Sequence, residues 1–339
     1  MSATVSDPAL RARLTLAKLR SVVRARTGSE TLEDRPLGPM AAVVVDGSGY
    51  VLLDRGAGIG AALAWAHRTA LRGTIHVVVD GDAAGPLAPG VVARRALFFT
   101  AQPVVLRLDG TVLSPAEPGQ HLPILAADPA HLAAIEPLRR AGAEIVVEHG
   151  VVMAELNGLE VGRVMADQEG PGVHLEVGVG RYDREAAQVM EQIRSAAEVR
   201  EDVLDVVRRH RRADEPPHLL NRLARQRWLR ARVVAEPGLV GAARLEPLEP
   251  PLPRDNLIDP VPAFAAGVDD AGRPVVVACA VGVDAEAIAV AADDRDRFDP
   301  EAELVYVCPA RDQYPIIRVL AAALVRPARL VALDGEWIR

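Results

Sequence analysis

The chain has 339 residues and a formal net charge of −7, and half of its residues are hydrophobic. This length allows two or three domains with sizeable cores, and the acidic balance argues against general coating of nucleic acid or membrane surfaces. No run of about 18 apolar residues and no signal-peptide core is present, so we expect no membrane span and a cytoplasmic location. Lys18 is the single lysine, and this bias toward arginine is typical of GC-rich bacterial genomes.

Cys279 and Cys308 are the two cysteines, and each lies in an apolar run. Their positions lack the spacing of metal ligands. We therefore predict buried reduced thiols, as is usual for a cytoplasmic protein.

The N-terminal residues 1–38 are predicted to form a helix followed by a linker. Residues 6–26 have helical apolar spacing, Ser6 or Asp7 can cap the helix, and basic residues cover its other faces. We interpret this element as a solvated docking helix, with a nucleic-acid-binding arm as the alternative. The polar residues 27–38 predict the linker.

Two α/β segments, residues 39–120 and 263–339, have the same order of predicted elements. In each, two strands are followed by helix, strand, helix and strand, and a Gly-containing turn joins the first two strands. These turns are Asp46-Gly47-Ser48-Gly49 and Asp269-Asp270-Ala271-Gly272. The pattern indicates an internal duplication of a ββαβαβ unit whose copies associate, either within one chain or between chains.

Three further segments lie between the two copies. Residues 121–205 predict a central α+β block, and residues 206–244 predict a basic helical segment. Residues 245–262 predict an extended connector, because prolines are too frequent there for regular structure. The predicted fold is an α/β protein in which two related ββαβαβ units bracket the central block.

Within the central block, residues 129–190 predict the order helix, strand, strand, strand, helix, and glutamates recur along the apolar runs. This order resembles the core of the PD-(D/E)XK nuclease-like superfamily. The resemblance implies that Glu136, Glu160 and Glu176 bind Mg²⁺ or Mn²⁺, and that Glu160 and Glu176 are catalytic. Such a metal ion positions water and offsets the charge of the scissile phosphate.

The chain departs from the superfamily motif at one position. Gly178 stands where the family has a lysine, so Arg163 or Arg181 would supply the catalytic cation, although arginine is a poor replacement for a water-orienting lysine. In the alternative interpretation, the glutamates occupy the solvent-facing positions of an antiparallel sheet, as the alternation of apolar and polar residues requires.

Residues 208–232 carry nine arginines against Asp214 and Glu215, a net charge of +7. We predict a helix over residues 218–232 that turns arginines outward, because four of them fall within an arc of roughly 160° opposite an apolar face. Guanidinium groups bind phosphate with paired hydrogen bonds, so a nucleic-acid backbone is the expected ligand, and pairing with the chain's own acids is the alternative. The predicted phosphate-binding residues are Arg208, Arg209, Arg211, Arg212, Arg222, Arg225, Arg230 and Arg232.

A glycine-rich turn, Gly56-Ala57-Gly58-Ile59-Gly60, precedes a predicted helix and resembles part of a dinucleotide-binding loop. Its spacing differs from Gly-x-Gly-x-x-Gly, and a tight turn is the alternative explanation. The second copy has Gly282 at the corresponding position. A ligand-sensing protein would therefore bind a nucleotide-like molecule near Gly58 and Gly282.

Three functions remain open from the sequence. The first is a nucleic-acid-binding or processing protein with a nuclease-like central fold, which is a metal-dependent nuclease of DNA or RNA if its carboxylates are active. The second is a non-catalytic ligand-sensing or assembly protein built on the duplicated Rossmann-like units. The third is a structural homo-oligomer.

Overall fold

The computed structural model describes most of the chain and divides it into two compact units. The described residues are 7–37, 40–54, 57–167, 170, 172–190, 193–212, 218–253 and 261–335. The first unit contains residues 1–121, 284–293 and 315–328, and the second contains residues 122–283, 294–314 and 329–339. Strands and helices are numbered in chain order.

A six-stranded mixed sheet forms the first unit. Its strands, in spatial order, are β1 (Glu33–Asp34), β2 (Ala41–Val45), β3 (Ser48–Leu52), β4 (Ile75–Asp80), β5 (Val104–Asp109) and β6 (Val112–Pro115). The pairs β3–β4 and β4–β5 are parallel, and the other neighbours are antiparallel. Asp46 and Gly47 join β2 to β3 with φ values of 49° and 76°, as a two-residue type I′ hairpin requires. The strands predicted between residues 41 and 113 are confirmed, whereas β1 and β6 were not predicted.

Helices accompany this sheet in the first unit. They are α1 (Pro8–Thr27), α2 (Ile59–Arg68), α3 (Pro89–Ala96), the part of α9 (Glu286–Phe298) that ends at Asp293, and α10 (Pro315–Ala322). The carboxylate of Asp7 accepts a hydrogen bond from the Ala9 amide at 2.9 Å and so caps α1. Leu19 and Val23 of α1 pack among the strands, which confirms the predicted docking helix.

The second unit contains a four-stranded antiparallel sheet with helices before and after it. In chain order these elements are α4 (Pro129–Ala134), α5 (Glu136–Arg140), β7 (Glu144–Glu148), β8 (Val151–Leu156), β9 (Leu159–Ala166), β10 (Val173–Val177), α6 (Gly180–Met190) and α7 (Ala196–His210). The prediction of three strands was wrong, because the two-residue turns His149-Gly150 and Asn157-Gly158 divide residues 144–166 into three strands, and β10 is the fourth. All four turn residues have left-handed φ values.

A five-stranded mixed sheet completes the second unit. Helix α8 (Arg225–Ala235) packs on it, and its strands, in spatial order, are β11 (Arg244–Leu248), β12 (Ala263–Val268), β13 (Pro274–Cys279), β14 (Glu303–Cys308) and β15 (Arg329–Ala332). The connector predicted over residues 245–262 was wrong at its start, because Pro247 lies in the edge strand β11, where a missing amide is tolerated. Residues 254–260 of that segment lie outside the described residues.

The α/β class is confirmed, and the two segments proposed as copies have matching sheets. Strands β2 to β5 are joined by one antiparallel and two parallel pairings, and strands β12 to β15 follow the same sequence of pairings. Helix α10, from the second segment, contacts α2, from the first, within the first unit. Common descent of the two segments by duplication stays a prediction.

Two further sequence predictions concern membranes and thiols. None of the helices in the described ranges has both the length and the apolar character needed to cross a bilayer. Cys279 and Cys308 are free and buried, as predicted, and burial raises the pKa of the Cys279 thiol to about 12. That thiol is therefore expected to be unreactive.

Close packing in the first unit can be tested at Gly60, in the first turn of α2. A Cβ atom there would lie 2.1 Å from the backbone oxygen of Ala285. Gly60→Ala is expected to lower the free energy of unfolding by about 1–3 kcal/mol through overpacking. Urea denaturation measures the loss. Gly238→Ala is the control, because open space surrounds that position, and an equal loss in both variants would contradict the prediction.

Candidate functional site

Glu160, the first predicted catalytic carboxylate, is a buried member of an ion-pair network. It lies on β9 with 1% of its surface exposed. Arg163 donates to both of its oxygens, at 2.6 and 2.8 Å, and Arg184 from α6 donates to it at 3.2 Å. The bond to Glu160 raises the pKa of Arg163. Two guanidinium groups therefore neutralise this carboxylate.

Glu176, the second predicted catalytic carboxylate, lies on the neighbouring strand β10 and shares Arg184 with Glu160. The Nε atom of Arg184 is 3.3 Å from the Glu176 carboxylate, and the Gln188 amide donates to the same carboxylate at 3.1 Å. The structure therefore brings Glu160, Glu176 and Arg163 together around a residue that was not predicted. Arg184 lies in the second turn of α6, which follows β10 directly. That position was the only feature of the sequence that could have indicated its contact with the two glutamates.

The other two predicted members of the nuclease site lie in separate ion pairs. Glu136 begins α5 and accepts hydrogen bonds from Arg139 at 2.7 Å and Arg140 at 3.0 Å, which lower the pKa of Glu136. Arg181 is exposed and pairs with Glu185 one turn later on α6. The prediction that all five side chains form one site is therefore unsupported.

The carboxylates do not fit the Mg²⁺ or Mn²⁺ site that the nuclease resemblance implies. A divalent metal needs several carboxylate or carbonyl oxygens that point at one position. Among the described residues, no three His, Cys, Asp or Glu side chains form such a group. The oxygens of Glu160 face two guanidinium groups instead, so we derive no metal-dependent step from this site.

The backbone conformation at position 178 explains why a glycine stands there instead of the motif lysine. Gly178 leads from β10 into α6 with a φ of 143°, a conformation that residues with a side chain rarely adopt. A Cβ atom there would lie 2.6 Å from the backbone nitrogen of Arg184. The tight entry into α6 therefore excludes a lysine at this position.

Two arginines of the basic segment are buried against the glutamates of the central sheet. Arg227 donates to Glu155 at 2.5 Å and to Glu148 at 2.6 Å, and Arg230 donates to Glu155 at 2.5 Å. The predicted outward arginine face was therefore wrong at Arg230. The helix begins at Arg225 rather than at residue 218. Glu148 and Glu155 are buried, so the guanidinium groups of Arg227 and Arg230 point inward to pair with them.

Arg211 is also buried, and it stabilises the turns around it. Its guanidinium group donates to the backbone oxygens of Asn157, Leu220, Leu223 and Ala224 and lies 4.5 Å from the ring centroid of Trp228. Its predicted exposure to phosphate was wrong, because its donors satisfy carbonyl oxygens that would otherwise lack a partner. Arg211 holds residues 220–224 beside the end of α7.

The remaining predicted phosphate-binding arginines have different surroundings. Arg232 is exposed and pairs with Glu236 one turn later on α8, whereas Arg225 is half-buried at the start of that helix. Arg208, at the end of α7, donates to the backbone oxygen of Ala141 at 2.6 Å. That bond places the end of α7 next to the end of α5, which carries two arginines that were not predicted.

A basic patch results where α5 and α7 end and residues 219–222 turn. Arg139 and Arg140 keep 65% and 78% of their side-chain surface exposed, although both pair with Glu136. Arg208 also pairs with Glu201 and Asp205. We define the basic patch by its half-exposed and exposed arginines, which are Arg139, Arg140, Arg208, Arg209, Arg212 and Arg222.

The glycine-rich turn accommodates a carboxylate of the same unit. Gly56 lies outside the described residues. The Gly60 amide, in the first turn of α2, donates to Glu286 at 2.8 Å, and a Cβ atom on Gly58 would lie 2.2 Å from that carboxyl group. Glu286 therefore occupies the position where a phosphate would approach this helix. In the second unit, the Gly282 amide likewise donates to Asp312, at 2.7 Å.

The buried network gives two predictions of opposite sign, of which the first concerns Glu155. Glu155→Gln removes the carboxylate that accepts hydrogen bonds from both Arg227 and Arg230, so the free energy of unfolding is expected to fall by about 3–5 kcal/mol. Chemical denaturation measures the change. A loss below about 1 kcal/mol, the size found for exposed pairs, would contradict the importance of this network.

Glu144 is the matched control, because it lies 3.9 Å from Arg230, whose charge Glu155 already neutralises. Burial raises the pKa of Glu144, so the folded state favours its neutral form and loses stability as pH rises through that pKa. Glu144→Gln is expected to stabilise the protein at neutral pH. The gain should disappear well below pH 4.5, the ordinary value for this carboxyl. A destabilised variant at pH 7 would contradict the prediction.

No protein-family model, curated protein or solved structure matches this chain.

Proposed function

We propose that this protein is a non-catalytic nucleic-acid-binding protein that contacts the phosphate backbone through its basic patch. The observation that carries the proposal is the exposure of the patch arginines at the ends of α5 and α7. Guanidinium groups bind phosphate oxygens with paired, charge-assisted hydrogen bonds. Exposed arginines at neighbouring helix ends therefore suit a polyphosphate chain.

The charge distribution of the chain favours one binding surface over general adhesion. The formal net charge is −7, so the protein as a whole repels phosphates. Aromatic residues make up only 3% of the chain, which leaves few rings for stacking on bases. Recognition of backbone rather than of base sequence is therefore the proposed mode.

The absence of catalysis in this proposal rests on the partners of the carboxylates. Glu160 accepts hydrogen bonds from Arg163 and Arg184, and Arg184 also neutralises Glu176. Binding a divalent cation at this place would need both carboxylates to exchange guanidinium groups for the metal, which costs the ion pairs and hydrogen bonds of a buried network.

The proposal predicts salt-dependent binding that depends on the patch. Labelled duplex DNA and single-stranded RNA are titrated with protein over a series of salt concentrations. Replacing four patch arginines with glutamine is expected to weaken binding and to reduce the slope of log K against log salt by roughly 3–4 for duplex DNA. The substitutions are Arg139→Gln, Arg140→Gln, Arg209→Gln and Arg222→Gln.

A second quadruple variant controls for the change in net charge. It replaces exposed or half-exposed arginines elsewhere and is expected to bind nearly as the natural chain does, namely Arg35→Gln, Arg107→Gln, Arg244→Gln and Arg273→Gln. Equal weakening in the two variants would contradict a specific patch. No binding by the natural chain at low salt would contradict the proposed function itself.

The non-catalytic part of the proposal has its own test. Labelled DNA and RNA are incubated with the protein and Mg²⁺ or Mn²⁺, and the expected result is intact nucleic acid. Metal-dependent cleavage that is lost in Glu160→Gln and Glu176→Gln would instead establish the nuclease interpretation. Cleavage that survives both substitutions would also contradict the non-catalytic proposal, without supporting Glu160 and Glu176 as the catalytic residues.

A further inference from the structure

Two histidine rings stack on each other within the basic patch, where α7 ends and residues 219–222 turn. His210 is the last residue of α7, and its ring centroid lies 4.0 Å from that of His218, with the two ring planes 14° from parallel. The inner residue, His210, is half-buried, whereas His218 is exposed. The outer ring therefore presents aromatic surface to solvent, although the inner ring covers one of its faces.

The backbone of the turn holds the outer ring in place. The Nδ1 atom of His218 accepts a hydrogen bond from the Leu220 amide at 3.3 Å, at the start of the turn. The Asn221 amide donates to the backbone oxygen of His218 at 2.9 Å and closes the turn. The ring is thus fixed by a hydrogen bond at its edge and by His210 at one face. A ligand that stacks on a ring already held in this way loses little affinity to side-chain ordering.

Exposed arginines lie close to the two rings along the chain. Arg209 directly precedes His210, and Arg222 follows His218 by four residues, at the end of the same turn. Leu219, next to the outer ring, is 72% exposed and adds apolar surface beside it. The local chemistry therefore suits a ligand that combines a flat unsaturated ring with negatively charged groups. A nucleotide has both.

We propose that the ring of His218 stacks on an unpaired base, and that the basic patch therefore binds single-stranded nucleic acid in preference to duplex. This inference rests on the proposed function, because the patch arginines must hold the phosphates. Imidazole is one of the aromatic side chains on which proteins stack unpaired bases. Every base has a π-face, so one such ring adds affinity without requiring a particular sequence.

The preference for single strands follows from where the faces of the bases lie. Within a duplex, each base is paired and stacked, so its face reaches a protein ring only after the base has been unpaired and unstacked. A single strand offers its bases without that cost. Duplex binding is therefore expected to depend on the arginines alone, whereas single-strand binding gains the contact with His218.

The contribution of the base can be isolated with two ligands that carry the same phosphates. One is a single-stranded DNA of mixed sequence, and the other is an abasic strand of equal length. The natural chain is expected to bind the first about tenfold more tightly, as is typical for one base stacked on an aromatic side chain. Equal dissociation constants for the two strands would overturn the proposal.

Two substitutions of His218 separate its ring from its hydrogen bond. His218→Asn keeps a side-chain acceptor for the Leu220 amide but removes the ring, so the preference for the base-containing strand is expected to fall below about twofold. His218→Tyr keeps an aromatic ring and loses the ring nitrogen, so most of the preference should remain. Because both strands carry the same phosphates, any change in the charge of the protein affects both dissociation constants and cancels in their ratio.

His67→Asn is the matched control. His67 is an exposed histidine in the last turn of α2, in the first unit, and its replacement should leave the preference unchanged. Circular dichroism and urea denaturation verify that each variant is folded. An unchanged preference in His218→Asn would contradict the proposal. Loss of the preference in both His218 variants would also contradict it, because position 218 would then act through the fold of the turn rather than through an aromatic ring.

A duplex of the same sequence completes the test. His218→Asn is expected to weaken binding of the single strand about tenfold and to leave binding of the duplex nearly unchanged. Equal weakening for both ligands would overturn the single-strand preference. In each of these contrary results, salt-dependent binding through the arginines would persist and the proposed function would stand. No binding of any strand at low salt would instead contradict the proposed function, and this inference with it.

Discussion

The buried pairing of Arg227 and Arg230 with Glu148 and Glu155 is the constraint on which the second unit depends. Helix α8 packs its apolar residues Trp228, Leu229 and Val233 on the five-stranded sheet, and its arginines reach the glutamates of β7 and β8. One helix therefore connects two sheets of the same unit. Buried charges of this kind stabilise only when every partner is present, because each ion left alone in a low dielectric is strongly unfavourable.

The same chemistry gives many arginines of this acidic chain a structural role. A guanidinium group offers five donors in a plane, so it can satisfy two carboxylates at once, as Arg184 does for Glu160 and Glu176. Arg94 and Arg95 share Asp293 in the first unit, with distances of 2.7 and 3.0 Å. Much of the apparent basic and catalytic character of the sequence is therefore internal structure.

Sequence periodicity predicted the backbone well and the burial of charge poorly. The strands around Val43, Val51 and Val78 were predictable because they are short apolar runs bounded by turn residues. The burial of Arg230 was not predictable. A helix with one apolar face and one arginine face has the same sequence pattern whether its arginines meet water or buried glutamates. The strand at Pro247 was not predictable either, because a proline is tolerated in an edge strand and the sequence does not show that β11 lies at the edge of its sheet.

The location of the carboxylate partner separates buried from exposed guanidinium groups better than the position of the arginine within its helix does. Arg94-Arg95 and Arg139-Arg140 are both adjacent pairs at the end of a helix, yet the first pair is buried on Asp293 and the second is exposed. The difference is the carboxylate each pair meets. Asp293 is buried on a facing helix, whereas Glu136 lies on the same short helix as its partners and gives them no cover. Two arginines that pair with a carboxylate on their own helix stay exposed to water. They can therefore exchange that carboxylate for a phosphate at little cost in desolvation.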